Sequence, residues 1–248
     1  MLAIIGGSGL TQLENLEVTR RQVVRTPYGE PSGALTFGRI AGRDAVFLAR
    51  HGYGHTLPPH QINYRANIWA LHEHGVRRVV AVAAVGGIRA DLRPGMLVLP
   101  DQIIDYTHSR AATFFNFADG GVRHIDFTWP YSAPLRAACQ QAAQRAGIAL
   151  LEGGVYAATQ GPRLETAAEI DRLERDGADM VGMTGMPEAA LAKEIGLDYV
   201  TLAAVVNHAA GRGESREGIA VEAMDAILRD CMRKVQLILE QLVAGDGG

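Results

Sequence analysis

The sequence has little cysteine: two residues, Cys139 and Cys231, in a chain of 248. Neither stands in a CxxC pair or a Cys/His cluster, which argues against a disulfide framework or a structural zinc. Both are expected in the core, in a reducing compartment. Long apolar runs are missing too, and none reaches transmembrane length. The opening apolar run breaks at Gly6 and lacks the basic flank of a secretory leader, so the expected location is the cytoplasm, with no membrane partner. Charge of one sign is not in excess. The formal net charge is −3, from 24 Lys and Arg against 27 Asp and Glu, and no broad basic field calls for nucleic acid. A compact anionic ligand stays open, because a few arginines in one pocket suffice for it. No Ser-His-Asp order, HExxH or P-loop occurs. His55 and His60 flank a proline-rich loop without a nearby carboxylate, so no metal site is expected there.

What is present reads as an α/β chain, one domain spanning residues 1–248. Met1 to Ile5 is a short buried strand ending at a glycine turn. Leu35 to Ile40 and Asp44 to Ala49 are paired strands about an Ala41-Gly42-Arg43 turn. Arg78 to Ala84 and Tyr199 to Val206 have the unbroken branched and small pattern of strands buried on both faces. Met96 to Leu99, Gly154 to Thr159 and Asp179 to Met183 are further strands. Helices are expected over Ile62 to Glu73, Pro134 to Ala146 with Ser132 as N-cap, Thr166 to Asp176 with Glu169 completing a capping box, from Pro187, and over Ile219 to Val243. The alternation argues for helices around one largely parallel sheet. Thr107 to Trp129 has no clear period, yet carries Phe114, Phe115, Phe117, Phe127 and Trp129. So apolar a loop is expected to be functional or to pack on a partner.

Several strand ends carry chemistry. Gly6-Gly7-Ser8-Gly9 follows a strand, and its backbone and Ser8 hydroxyl suit an anion. It lacks a full GxGxxG fingerprint and is equally compatible with a tight turn. Arg50 and His51 follow a buried strand, where arginine offers a planar fork to phosphate and histidine a further donor. The strand running through Ala83 and Ala84 ends at Gly86-Gly87 and has backbone N–H groups to present. Glu165 lies in a strand-to-helix turn, either as a first-turn acid or as a hydrogen-bond acceptor in a crevice. Thr184 stands between a strand and a helix N-terminus, a place that favours anions. Asn207 ends a buried strand and needs partners for its amide. Together these groups suit a reaction whose nucleophile is a bound anion rather than a side chain.

At these residues the sequence is similar to the trimeric purine nucleoside phosphorylase and methylthioadenosine phosphorylase superfamily. The motifs IIGGSGL, TPYG with PS, LARHG with His55, NYRANIWAL, QGPRLET and GADMVGMTGMPEAALAKE occur in order, nearly end to end. The resemblance implies a single-domain, three-layer α/β fold with a mixed, partly barrel-like sheet, and a homotrimer. It implies a phosphate site at Ser8, Arg50, His51, the backbone of Ala83 and Ala84, and Thr184. It places Met183 under the ribose and Asn207, His208 and Ala209 at the base. His124 would reach the 5′ end of a neighbour's substrate, and Met224, Ile227 and Leu228 would lie near the 5′ substituent. It implies no cofactor beyond phosphate as co-substrate.

The departures are informative. Methylthioadenosine members carry aspartates at the positions matching Asn207 and Ala209, and a small hydroxyl residue at Glu165. The pair Glu165 and Asn207 is instead similar to 6-oxopurine enzymes. An amide donates to O6 and accepts from a protonated N7, while a carboxylate accepts from N1–H. Ala83 replaces a threonine and removes one hydroxyl donor to phosphate. An apolar 5′ pocket with a 6-oxopurine edge implies phosphorolysis of S-methyl-5′-thioinosine to hypoxanthine and 5-methylthioribose 1-phosphate. Catalysis would fall to Arg50, His51 and Asn207. Inosine or guanosine, methylthioadenosine, and a non-catalytic nucleotide-binding role remain as alternatives.

Overall fold

The computed structural model describes residues 1–115 and 122–245; Phe117 lies outside them. Among the described residues, eleven strands form one sheet: β1 (Leu2–Gly6), β2 (Glu17–Gln22), β3 (Leu35–Ile40), β4 (Arg43–Ala49), β5 (Arg78–Gly87), β6 (Leu97–Leu99), β7 (Gln102–Asp105), β8 (Leu150–Glu152), β9 (Val155–Ala158), β10 (Met180–Gly182) and β11 (Asp198–His208). The helices are α1 (Tyr64–Glu73), α2 (Ala133–Ala146), α3 (Ala167–Arg175), α4 (Gly185–Glu194) and α5 (Val221–Ala244).

Alternation along the central strands sends side chains to two buried faces. Ala3, Ile5, Val79, Ala81, Ala203 and Val205 join Ile68 of α1 and Leu191 of α4 in one core. Leu2, Ile4, Val80, Val82, Leu202 and Ala204 join Leu135 of α2 and Val235 of α5 in the other. The unbroken apolar strands therefore follow from helices covering both faces. Cys139 and Cys231 are buried in the second core.

The sheet is mixed, with parallel pairings in the majority. The pairs β2/β3, β3/β4, β5/β10 and β6/β11 are antiparallel and the rest are parallel. The turn between β3 and β4 is shorter than its sequence indicates. Ala41 and Gly42 both adopt positive φ, 49° and 77°, and Arg43 already pairs with Ile40. That two-residue geometry matches the twist of the flanking strands. The expected caps are present: Ser132 accepts from Leu135 N–H, and Thr166 and Glu169 form a reciprocal capping box. The regular turns of α4 begin at Pro187, because Met186 is extended (φ −121°, ψ 142°). The short strands β7 and β8 have no matching expectation; they carry half-exposed residues and lack the apolar run that marks β5 and β11.

The strand β5 positions the site. On one edge it pairs with β11 along its whole length. On the other, β1 pairs only with Arg78 to Ala81, and β10 joins only at Gly86 and Gly87. The residues between, Val82 to Val85, face a gap where the neighbouring strands diverge. Open α/β sheets place ligands at such divergences.

Candidate active site

A cavity of about 170 Å³ opens in this gap. Gly7, Ser8, Arg50, His51, Ala83, Ala84 and Thr184 line one part of it; Gly86, Glu165, Val181, Met183, Asn207 and Ala209 line another. Pro59, Val85, Leu164, Gly182, Val206, Ile219 and Met224 complete the wall.

The first part is built around Arg50, whose side chain is 1% exposed. Its backbone N–H donates to Gly6 O, which places it beside the glycine turn. Its Nε and Nη2 donate to Glu188 Oε2 and Oε1 at 2.7 and 2.8 Å. Its Nη1 donates to Val82 O at 2.9 Å, on the open edge of β5. Backbone groups alternate in direction along a strand. Ala84 N–H therefore shares that open edge with Val82 O, whereas Ala83 N–H points toward β11. A side chain at Gly7 would collide with Val82 O and Arg50, so only glycine allows the turn this close. Burial by itself lowers the guanidinium pKa, but the charge and hydrogen bonds of Glu188 outweigh it and leave the pKa raised. Tyr199 Oη donates to Glu188 Oε1 at 2.8 Å and completes the buried network.

His51 is 6% exposed. Its Nδ1 lies 2.8 Å from Leu57 O. A carbonyl only accepts, so Nδ1 carries the proton. Burial, and next the charge of Arg50, hold the ring neutral, with its pKa lowered to about 4 against the opposing Leu57 bond. Thr184 precedes α4, and its side chain does not cap the helix. Its backbone N–H donates to Tyr156 Oη at 3.3 Å.

The second part of the cavity is less buried. Glu165 Oε1 accepts from Thr159 Oγ1 at 2.6 Å, and the same hydroxyl lies 3.3 Å from Gly182 O. Asn207 sits where the register of β11 slips past β5, between Val205 and Asn207. Such a bulge re-aims side chains, and here it turns the amide into the cavity. Asn207 Nδ2 donates to His208 O at 2.6 Å. His208, the next residue, points the other way; its ring lies against Gly213 and accepts from Glu214 N–H, outside the cavity.

The remaining expected residues divide. Met224 lines the cavity. Leu228, one turn along α5, covers Gly9. Ile227 packs with the second core and does not reach the cavity. His124 lines a different hollow, with Phe115, Val122, Arg123, Phe127 and Glu194. Among the described residues no group of three His, Cys, Asp or Glu could hold a metal, and no helix is long and apolar enough to cross a membrane.

Four polar residues that hold this site together escaped the sequence reading. Glu188 and Tyr199 orient Arg50, and Thr159 orients Glu165. Arg110 is the fourth. Its guanidinium donates to the carbonyls of Met183, Met186, Thr159 and Gln160 at 2.6–3.3 Å, and to Tyr64 Oη and Gln160 Oε1. It ties the ends of β9 and β10 into one unit. The only sequence hint for Glu188 was an acid inside Pro187-Glu188-Ala189-Ala190-Leu191, apolar on both sides. Arg110 lies in the aperiodic segment and has no local signal.

A sequence profile described as the Phosphorylase superfamily matches residues 1–244. The chain belongs to the phosphorylase superfamily. A relative from Pseudomonas syringae pv. tomato named "Probable S-methyl-5'-thioinosine phosphorylase" is 53% identical over 242 residues, covering 98% of each chain. A 6-oxopurine nucleoside phosphorylase from Pyrococcus furiosus is 47% identical over 215 residues, covering 85% of this chain and 80% of its own. Among solved structures, methylthioadenosine phosphorylase from Schistosoma mansoni in complex with adenine superposes with a TM-score of 0.93 at 32% identity, covering 99% of this chain and 91% of its own. This phosphorylase thus shares its mixed sheet and flanking helices with that enzyme.

Proposed function

We propose that the protein is a pentosyltransferase that cleaves S-methyl-5′-thioinosine with inorganic phosphate, giving hypoxanthine and 5-methylthioribose 1-phosphate. The observation that carries this reading is one cavity lined by an arginine-centred oxyanion pocket and by the Glu165 and Asn207 pair. Phosphate occupies the pocket of Ser8, Arg50, His51, the Ala84 N–H and Thr184. Its oxygen attacks C1′ as the bond to N9 breaks, and its charge stabilises the oxocarbenium-like sugar. Holding both reactants in one cavity supplies much of the acceleration. The purine departs as an anion with the bonding electrons and takes up a proton at N7 from solvent water. Asn207 accepts from N7–H through Oδ1 and donates to O6 through Nδ2. Glu165 keeps Oε1 on Thr159 and accepts N1–H on Oε2. Met183 underlies the ribose, and Met224 and Ile219 favour a methylthio group over a hydroxyl.

The relatives named for methylthioinosine and for 6-oxopurine nucleosides support the same base edge. In this reading the enzyme works in the cytoplasm as a homotrimer, without a cofactor, and a neighbour's His124 closes the 5′ end. The placement of His124 away from its own cavity fits that arrangement.

The test is a comparison of kcat/KM, with phosphate, for methylthioinosine, methylthioadenosine, inosine and adenosine. Methylthioinosine is expected to exceed methylthioadenosine on the order of 10⁴-fold, because the wrong edge leaves buried polar groups unpaired. It is expected to exceed inosine by about 10- to 200-fold, the range for a small apolar group. A preference for methylthioadenosine overturns the base assignment; a preference for inosine overturns the sugar assignment alone.

A further inference from the structure

Arg50 and His51 read as two donors in the sequence, yet in the folded chain neither brings unmatched positive charge. Arg50 is neutralised by a bidentate pair with Glu188, both side chains being at most 1% exposed. Three of its five N–H groups go to Glu188 and Val82 O, leaving one on each Nη for a ligand. The proton of His51 is committed to Leu57 O. The loop fixes that geometry, since Thr56 and Leu57 N–H both donate back to His51 O at 3.0 and 3.1 Å. The groups facing the ring are Arg50 on its own strand end and His55, whose ring centroid lies 4.5 Å away. Both disfavour a second proton, and so does burial. His51 lines the cavity, and Nε2, the ring nitrogen left over, carries a bare lone pair. Every other polar group of the pocket is able to donate: Ser8, Thr184, the Ala84 N–H and Arg50.

We infer that His51 is a specificity-determining residue that accepts a hydrogen bond from the bound oxyanion, so that the pocket takes tetrahedral anions carrying a hydroxyl, phosphate and arsenate, in preference to fully ionised sulfate. The inference rests on the reading that this cavity binds phosphate. It also assigns the oxygens. The P–OH group is turned to His51 and keeps its proton throughout, and an unprotonated oxygen is left to attack C1′. A sulfate oxygen at the same place would oppose one acceptor to another, and Nε2 would stay buried and unpaired. That mismatch weakens sulfate on the order of tenfold to a hundredfold.

The experiment is calorimetric titration of the intact protein with phosphate, arsenate and sulfate. Phosphate and arsenate are expected to bind alike, with sulfate weaker by the factor above. The discrimination is expected to persist as pH falls to about 5.5, below the ordinary histidine range. Sulfate binding that strengthens through that range would show a donating imidazolium and overturn the inference. Nitrogen-15 NMR of the free protein is expected to find His51 protonated at Nδ1 and bare at Nε2; a proton on Nε2 overturns it. In His51→Gln the side chain regains a donor, and the phosphate-to-sulfate ratio should collapse toward one. Equal weakening of both anions would mean that His51 is merely structural. Equal binding of sulfate and phosphate to the native protein refutes the inference and leaves the phosphorylase reading standing. No binding of phosphate removes both.

Discussion

The two ends of the cavity are built differently. Around Arg50 every contact is deep and wired to distant parts of the chain: Glu188 from α4, Tyr199 from β11, and the Val82 carbonyl of β5. Around Glu165 and Asn207 the side chains are half-buried and held by near neighbours, Thr159 six residues away and the His208 carbonyl one residue away. The Arg50 end is thus part of the core, and its parts stand or fall with the fold. The Glu165 end is mounted on strand termini and a turn, where a single substitution leaves the core in place. A common co-substrate at one end and a variable purine at the other would call for that division.

The sharpest way to break this contrast is Glu188→Ala. It leaves a buried arginine unpaired, which destabilises the protein by about 3–5 kcal/mol. Chemical denaturation should show the loss, and phosphate should stabilise the variant far less than the native enzyme. A variant of native stability would show that the Arg50 end is not part of the core. Asn207→Asp is the counterpart at the Glu165 end. It should lower kcat/KM for the 6-oxopurine nucleoside on the order of 10²- to 10³-fold, since a carboxylate has no donor for O6. Its denaturation midpoint should hold. Loss of stability in this variant would erase the contrast. Thr159→Val is the smallest change. It removes the hydroxyl on Glu165 and is expected to lower kcat/KM for the 6-oxopurine by about tenfold through KM. The phosphate KM should stay where it was. Equal changes in both KM values would mean that the two ends are coupled through β10.

Much of this was legible in the sequence. The strands β1, β5 and β11 announce themselves because both their faces are buried, which forces unbroken apolar runs. The helix caps at Ser132 and Thr166 are legible because their partners lie three residues away. Ser8, Arg50, His51, Thr184, Glu165 and Asn207 could be picked out because each ends a recognisable strand or sits in a glycine turn. The placement of His208 and Ile227 outside the cavity wall was not legible, because adjacency in sequence does not say which way a side chain points. A bulge in β11 turns Asn207 inward and leaves His208 outside.

By itself the sequence determined the α/β class, the location of the core strands, and the residue types gathered at the strand ends. Each of these follows from local pattern, burial periodicity and backbone chemistry. Only the tertiary structure decided which of those residues meet. It divided β5 between β1 and β10 and so opened the gap. It brought Glu188 onto Arg50 across 138 residues and Arg110 onto Met183 across 73. It also committed the Nδ1 proton of His51 to a carbonyl six residues away that no composition or spacing could single out. Charge, tautomer and partner depend on what surrounds a group in space, and packing alone supplies that.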